Sequence, residues 1–283
     1  MLILLNYTPD VDGETKFLGI IGCGIKYTWS PRIHNSSAQT LGINNIYLPF
    51  DMPQNQLSKF LELAWDLGAV GFNVTTPHKV NVAAILKSQK QSINTLFRGE
   101  SEWQTESTDG FGFVKGLQRI QCNIEGIEKM VVLGNGGLVV AILEHLKAFL
   151  VHMPEIVVVR RNPTKDHSLK NIHKEIKFVE FEASALKSEL DSSRKETLLV
   201  QCTSAPLLGD SLAELTPALD NFKGFVCDTV YGKPSAVYSK AIALNLKAQD
   251  GESMLIEQAR KSQMIWWGRC DKYDNISRAI RGK

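Results

Sequence analysis

The segment that most constrains the fold is KMVVLGNGGLVVAILEHLKAFL, residues 129–150. A hydrophobic strand is followed there by a turn of glycines and an apolar helix, and EIVVVRRNP supplies another strand. Glycines permit a sharp strand-to-helix turn and let the backbone approach a pyrophosphate, which binds at the amino terminus of the helix. The segment therefore predicts a βαβ unit in which Gly134, Gly136 and Gly137 form either a dinucleotide site or a plain tight turn.

The end of the second strand in this unit bears on the choice of dinucleotide. NAD-binding folds usually place an acidic residue there to bind the ribose 2′-hydroxyl, whereas this chain has Arg160, Arg161 and Asn162. Two guanidinium groups suit the extra phosphate of NADP. Taken alone, the two arginines could simply be solvated residues that open a loop. After a glycine turn and one helix, they favour NADP.

Strands and helices also alternate in the first half of the chain. The predicted strands are FLGIIGCG, NIYLPF and VGFNVTT, and the predicted helices are PRIHNSSAQTLGI, QLSKFLELAWDLGAV and HKVNVAAILKS. Pro31 lies where the first turn of a helix tolerates a missing N–H, and Gly68 is expected to end the second helix. This alternation predicts a largely parallel sheet with helices on both faces.

Composition and charge exclude several classes of protein. The 283 residues are 43% hydrophobic, which suffices for a sizeable core in one large domain or two. The formal net charge of +2 gives no reason to expect a nucleic acid or an anionic membrane as partner. No apolar run reaches the roughly 20 residues that span a bilayer. The amino-terminal MLILLNYTPDVDG lacks the basic segment of a signal peptide, so we expect a cytoplasmic protein.

The cysteines and histidines point away from a metal site. The five cysteines are scattered and odd in number, and they include no C-x-x-C pair. The six histidines show no H-E-x-x-H or similar ligand spacing. We therefore predict a reducing compartment and no bound metal.

Polar side chains that could take part in chemistry occur in several segments of the first half: Thr28, Ser30, Lys79, Asn94, Thr95 and Asp109. Each has an ordinary structural explanation. A lysine after a strand is usually exposed to solvent, a hydroxyl can cap a helix, and an aspartate before a glycine is common in turns. Spacing alone does not show that these residues converge.

Taken together, the segments around these residues resemble the shikimate dehydrogenase family. The matching segments are, in chain order, IGCGIKYTWSPRIHN, NVTTPHK, INT, STDGFGF, LGNGG, VVVRRN, CTSAP, CDTVYGKP and DGESMLIEQARKSQMIWWG. NVTTPHK is similar to the N-V-T-x-P-x-K signature of that family, and STDGFGF to its N-T-D-G-x-G-F segment. The resemblance extends from about Phe17 to Gly268, and the collinear set is far more specific than any one segment.

The resemblance implies a reaction and a set of site residues. The reaction is the reversible, NADP-dependent reduction of 3-dehydroshikimate to shikimate, a step of the chorismate pathway to the aromatic amino acids. Lys79 and Asp109 would form the catalytic pair, because the carbonyl oxygen gains negative charge as hydride arrives and must be protonated. The residues implied to bind the substrate, a ring acid, are Thr28, Ser30, Thr75, Asn94, Tyr231 and Gln258. Those implied to bind NADP are Gly134, Gly136, Gly137, Arg160, Arg161, Thr203 and Ser204.

The fold that the resemblance implies is α/β with two domains. A substrate domain would comprise residues 1–115 and 250–283, and a Rossmann-like NADP domain residues 116–249. The last helices would return to the first domain, which explains how Gln258 can reach a site built early in the chain. Such an enzyme is expected to be a monomer or a homodimer and to close its cleft on binding.

Some positions depart from the family pattern. Thr28 stands for a serine beside the large Trp29, and Tyr27 for a histidine, so the carboxylate pocket is expected to differ in shape. In the glycine turn, Leu138 and Val139 replace small residues and are expected to push the pyrophosphate outward. Further departures are Ser107 in place of asparagine and Pro206 in place of glycine. Two alternatives therefore stay open: a relative that uses quinate or another ring acid, and a non-catalytic relative that binds a dinucleotide.

Overall fold

The computed structural model describes residues 11–162, 169–191 and 196–282, which fall into two compact units. Unit 1 lies within Met1–Thr108 and Ile256–Lys283, and unit 2 is Asp109–Leu255. None of the helices in the described ranges is long and apolar enough to cross a membrane.

Unit 1 is built on a five-stranded sheet. Its elements from the first part of the chain are β1 (Lys16–Gly22), α1 (Ser30–Leu41), β2 (Asn45–Asp51), α2 (Leu57–Asp66), β3 (Gly71–Val74), α3 (Lys79–Ile85), β4 (Thr95–Arg98) and β5 (Trp103–Glu106). The strand order is β2-β1-β3-β4-β5. The first three strands are parallel, as the strand–helix alternation predicts, whereas β4 and β5 add an antiparallel hairpin that the sequence analysis did not anticipate.

Unit 2 is built on a six-stranded parallel sheet. Its elements are α4 (Asp109–Leu117), β6 (Lys129–Leu133), α5 (Gly137–Phe149), β7 (Glu155–Arg160), α6 (Leu169–Ile172), β8 (Lys177–Glu180), α7 (Ala183–Asp191), β9 (Thr197–Gln201), β10 (Phe225–Asp228), α8 (Ala236–Ala243) and β11 (Lys247–Gln249). The strand order is β11-β10-β9-β6-β7-β8, all parallel. This is the doubly wound order, and its switch point lies between β6 and β9.

The alternation of side chains along β6 explains the two cores of unit 2. Met130 and Val132 belong to a core with α4 and α5, whereas Val131 and Leu133 belong to a second core with α7 and α8. A strand buried on both faces is apolar along most of its length, which is why Met130–Leu133 reads as a continuous hydrophobic run.

The chain ends with two helices, α9 (Glu252–Trp267) and α10 (Tyr273–Arg281). The boundary between the units falls inside α9, so that the rest of α9 and all of α10 belong to unit 1. The expected return of the carboxyl-terminal helix to the first domain is thereby confirmed. Trp266 donates to the Leu96 carbonyl at 2.8 Å. A Cβ at Gly71 would collide with both groups, so only glycine admits this close approach of α9 to the sheet.

Candidate active site

The parallel strands β1 and β3 end at the same edge of the unit 1 sheet, and their two following loops are joined there. Thr75 N donates to the Ile21 carbonyl at 2.9 Å, and Cys23 N donates to the Thr76 carbonyl at 3.4 Å. The Thr76–Pro77 peptide is cis. The edge therefore gathers the segment that leads to Thr28 and Ser30 beside the segment that leads to Lys79.

Lys79 is the first residue of α3, and its neighbour holds it in place. The His78 side chain is fully buried, and its Nε2 lies 2.8 Å from the Met52 carbonyl oxygen. Lys79 itself is half-buried. A buried anchor directly before a partly exposed lysine restricts where the amine can reach.

The hydroxyls of Thr28 and Ser30 form a pair at the start of α1. Thr28 Oγ1 donates to Ser30 Oγ at 3.2 Å, and Ser30 N donates to Thr28 Oγ1 at 3.3 Å. Ser30 is 5% exposed, and Thr28 is half-buried. The first turn of α1 has no acidic residue, so a helix amino terminus with two hydroxyls is suited to an anion such as a carboxylate.

Asn94 lies in a buried hydrogen-bonded group within unit 1. Its Nδ2 donates to Thr108 Oγ1 at 2.9 Å and to Gln258 Oε1 at 3.3 Å, while its Oδ1 accepts from Thr108 N at 2.7 Å. Asn73 Nδ2 extends the group, donating to Ser262 Oγ at 3.1 Å and to Thr95 Oγ1 at 3.2 Å. We call this set the amide cluster: Asn73, Asn94, Thr95, Thr108, Gln258 and Ser262. It unites the predicted Asn94 and Gln258, which are 164 residues apart in the chain.

The amide cluster contains residues that the sequence analysis missed. Thr108 is fully buried, and Asn73 is 5% exposed. Thr108 lies in STDGFGF and Asn73 begins NVTTPHK, two of the segments that resemble the family. Their place in these segments was the sequence feature that could have pointed to them. Asp109 follows Thr108 and opens α4 as the first residue of unit 2.

The glycine turn lies at the carboxyl end of β6, next to the switch point of the unit 2 sheet. Gly134 has φ 101°, and a Cβ there would lie 2.9 Å from Thr203 Cγ2. Gly136 precedes α5 and has open space where a Cβ would be. Gly137 is the first residue of α5. The backbone is therefore open to a phosphate at the start of this helix.

A cavity of about 500 Å³ lies beside the glycine turn in unit 2. We call it the phosphate cavity, and it is lined by Gly134, Asn135, Arg160, Arg161, Asn162, Phe181, Thr203, Ser204, Ala205 and Leu208. Five of the predicted cofactor residues thus meet at one place. Asn135 and Asn162 adjoin predicted residues in the chain, whereas nothing in the sequence marked Phe181 or Leu208.

The two arginines of the phosphate cavity differ in environment. Arg160 is only 4% exposed, and its guanidinium carbon lies 4.2 Å from the centroid of the Phe178 ring, a cation–π contact. Arg161 is exposed. A guanidinium that reaches solvent at the rim can take a phosphate dianion, so Arg161 is the better placed of the two.

The bulky residues after the glycine turn pack away from it. Val139 is 1% exposed in the core between α5 and the sheet, and Leu138 packs against that same core. The bulk of both side chains is therefore accommodated in and against the hydrophobic core. Pro206 is likewise buried, at the start of the short 3₁₀ helix Ala205–Leu208.

The remaining predicted substrate residue, Tyr231, lies half-buried in the loop between β10 and α8 of unit 2. Thr28, Ser30, Thr75, Lys79, Asn94 and Gln258 belong to unit 1, whereas Asp109 and Tyr231 belong to unit 2. Within the described ranges, no group of three or more His, Cys, Asp or Glu side chains could hold a metal ion.

The chain is similar to known proteins over nearly its whole length. A sequence profile described as the shikimate dehydrogenase substrate binding domain matches residues 20–95. The shikimate dehydrogenase (NADP(+)) of Caldanaerobacter subterraneus subsp. tengcongensis is 30% identical over 284 residues, 96% of this chain and 99% of that protein. The chain belongs to the shikimate dehydrogenase family.

Another shikimate dehydrogenase (NADP(+)), from Thermococcus kodakarensis, is 31% identical over 91% of this chain and 93% of its own. Among solved shikimate dehydrogenases, that of Thermus thermophilus in complex with NADP(H) and shikimate is 25% identical. It matches with a TM-score of 0.78 over 94% of this chain and 99% of that chain. The family and the two-domain fold expected from the sequence motifs are thereby confirmed.

Proposed function

We propose that this protein is an NADP-dependent shikimate dehydrogenase that interconverts 3-dehydroshikimate and shikimate in the chorismate pathway. The single observation that carries the proposal is the phosphate cavity, where a glycine turn and an exposed arginine adjoin the switch point of a doubly wound sheet. Unit 1 would be the substrate domain and unit 2 the cofactor domain. We expect a cytoplasmic monomer or homodimer.

The residues of the phosphate cavity fit NADP. The open backbone at Gly136 and the start of α5 suit the pyrophosphate, together with Gly134 and Gly137. Arg161 would pair with the 2′-phosphate, and Arg160 would support the adjoining wall from its position against Phe178. Thr203 and Ser204 lie along the same cavity. When bound, NADPH supplies the hydride that adds to the carbonyl carbon of the ring.

Lys79 and Asp109 would handle the proton. As the carbonyl carbon becomes tetrahedral, its oxygen gains negative charge, and the Lys79 ammonium donates a proton to form the product hydroxyl. In the reverse direction the neutral amine takes that proton back. Asp109 would orient the amine and balance its charge. The buried His78 supports this role because it limits the positions that the neighbouring lysine can take.

The substrate would be held by both hydrogen-bond donors and hydrogen-bond acceptors. Thr28 and Ser30 would bind the ring carboxylate at the start of α1. Thr75, Asn94 and Gln258 would bind ring hydroxyls, with Tyr231 lining the site. The 3.3 Å contact from Asn94 Nδ2 to Gln258 Oε1 is longer than its 2.9 Å bond to Thr108, so it is the weaker bond to exchange for a substrate hydroxyl.

One assay tests the proposal: the reduction of NADP followed in the presence of shikimate, with Lys79→Ala as the inactive variant. Lys59→Ala, at an exposed position on α2, is the matched control. We expect turnover for the native protein and the control, and a loss on the order of 10²–10⁴ in kcat for Lys79→Ala. Native turnover no higher than that of Lys79→Ala would favour a non-catalytic relative.

The same assay with quinate tests the choice of ring acid. Thr28 carries a methyl group that serine lacks, next to the half-buried Trp29, and both lie where we place the carboxylate. Turnover of quinate above that of shikimate would assign the protein to the alternative class of ring-acid dehydrogenases.

A further inference from the structure

Two apolar strands of unit 2 end in buried polar side chains that face each other. Gln201 ends β9 and Asp228 ends β10, and the two residues are paired in the register of these parallel strands. Both are fully buried. Gln201 Nε2 donates to Asp228 Oδ1 at 3.2 Å. The positions directly before them, LLV in β9 and FVC in β10, are hydrophobic, so the polar pair stands at the carboxyl ends of the two strands.

Asp228 holds both ends of the loop that carries Tyr231. Its Oδ1 accepts from Val230 N at 2.9 Å, and its Oδ2 accepts from Ser235 N at 2.9 Å. The loop is also fastened from outside, because Gly251 N donates to the Val230 carbonyl at 3.1 Å. One carboxylate thus accepts hydrogen bonds from the backbone on both sides of Tyr231.

Gln201 holds the Thr203 segment, which lines the phosphate cavity. Its Oε1 accepts from Thr203 N at 2.5 Å, and its Nε2 donates to the Thr203 carbonyl at 3.2 Å. The Gln201 carbonyl also accepts from Thr229 N at 3.0 Å, at the start of the Tyr231 loop. Thr203 in turn is the residue against which Gly134 packs. Gln201 therefore links the glycine turn to the neighbouring strand end.

A purely structural role would not require this chemistry. Burying a carboxylate is unfavourable unless every acceptor site is used, and an apolar pair would pack between two strands at less cost. Burial raises the pKa of the Asp228 carboxyl above its ordinary value, which reflects that penalty. The hydrogen bonds at both oxygens instead define the positions of two separate backbone segments.

We propose that Gln201 and Asp228 are positioning residues that fix the Tyr231 loop and the Thr203 segment relative to each other. The assignment of these segments to the substrate and the cofactor rests on the proposed function. The linkage itself does not, because it consists of contacts within unit 2. The Tyr231 loop and the Thr203 segment then respond together when either side chain is changed.

The linkage can be measured without turnover, by amide hydrogen exchange in the free protein. Gln201→Met removes both functional groups at nearly equal volume and leaves the Asp228 contacts to Val230 N and Ser235 N intact. We expect exchange at these two amides nevertheless to accelerate about ten-fold, because Asp228 loses its bond to Gln201, and the loss of one buried hydrogen bond is worth roughly that factor. Conversely, Asp228→Asn should accelerate exchange at Thr203 N, whose acceptor is Gln201. Unchanged exchange at these remote amides would overturn the proposal.

Gln249→Met is the matched control. Gln249 is also a buried glutamine at the end of a strand of the same sheet, where it contacts Cys227 and Ser253. Equal acceleration at Thr203, Val230 and Ser235 in this variant would mean general destabilisation, and would also overturn the proposal. If Gln201→Met does not fold, Asp228→Asn alone gives the same reading, since it changes neither size nor shape.

Activity supplies the second reading. Each single variant should lower kcat about ten-fold at saturating shikimate and NADP, because small displacements of reacting groups slow the reaction. Unchanged kcat in both single variants, with turnover present in the native protein, would contradict the proposal. Absence of turnover in the native protein would contradict only the proposed function, since the exchange data stand apart from it.

Discussion

The polar groups of the amide cluster in unit 1 and of the phosphate cavity in unit 2 are arranged in opposite ways. In the amide cluster, side-chain amides and hydroxyls are buried and satisfy one another, as in the bonds among Asn94, Thr108 and Gln258. In the phosphate cavity, backbone at the glycine turn and the exposed Arg161 face open space. The hydrogen bonds of a buried site preorganise it and also stabilise the fold. An open site can therefore be changed with less effect on stability.

The largest expected effect is on kcat, at Asp109, where the loss of activity can be compared with the loss of stability. Asp109→Asn keeps the volume and removes the carboxylate of the proposed catalytic pair, so we expect kcat to fall on the order of 10²–10⁴. Because Asp109 is only 6% exposed, the free energy of unfolding should fall by about 1–2 kcal/mol, the worth of a partly buried charge at a helix amino terminus. Steady-state kinetics and urea unfolding measure both. Asp66→Asn, at the exposed end of α2, is the control and should change neither.

Matched substitutions of asparagine by leucine compare the two regions directly. Asn94→Leu leaves Thr108 N without its acceptor in a buried site and removes one partner of the Thr108 hydroxyl, and should lower the free energy of unfolding by about 3 kcal/mol. Asn135→Leu, in the phosphate cavity, should lower it by less than about 1 kcal/mol. Chemical denaturation of both variants checks this. Equal losses would show that the contrast between the regions is wrong.

The next effect concerns the affinity for NADP. Arg161→Ala should raise the KM for NADP by about 10–100-fold and leave the KM for NAD unchanged, since a charge-assisted phosphate contact is worth roughly 1.5–3 kcal/mol. Arg160→Ala removes the contact with Phe178 and should instead lower the free energy of unfolding by about 1 kcal/mol. The opposite pattern would exchange the roles of the two arginines.

An effect smaller than those at Asp109 and Asn94 is expected at the other end of the unit 2 strands, away from the phosphate cavity. Lys129 begins β6 and Lys177 begins β8, and they bind the buried Glu189 at 2.8 Å and 2.6 Å. Burial alone would raise the pKa of Glu189, but the hydrogen bonds from the two lysines lower it below its ordinary value. The carboxylate therefore stabilises the fold above the unfolded-state pKa of roughly 4.3, and this contribution is lost as the pH falls.

Glu189→Gln should accordingly lower the free energy of unfolding by about 2 kcal/mol at pH 7, a value reduced because the Lys177 side chain is 55% exposed. The difference from the native protein should shrink below about pH 4. Unfolding curves across this range measure it, with kcat at pH 7 unchanged. A difference that grew on acidification would contradict the sign of the pKa shift.

Much of the fold could be predicted because the relevant signals are local. The hydrophobic run of β6, the glycines after it and the helical spacing of α5 all lie within 22 consecutive residues. The hairpin of β4 and β5 was missed because its strands have only four residues each, with too few positions to establish a period of two. The packing of Leu138 and Val139 against the core could not be predicted for a related reason: a motif gives the spacing of residues but not the direction of their side chains.

The sequence by itself determined the α/β class, the glycine turn, the family and the identity of the candidate site residues, since these depend on residue order and short-range periodicity. The tertiary structure alone decided which of two adjacent arginines is buried. It also decided that Asn94 meets Gln258 across 164 residues, and that Gln201 and Asp228 join two strand ends. Such contacts form between elements distant in the chain, where burial and hydrogen-bond geometry select among side chains that look equivalent in sequence.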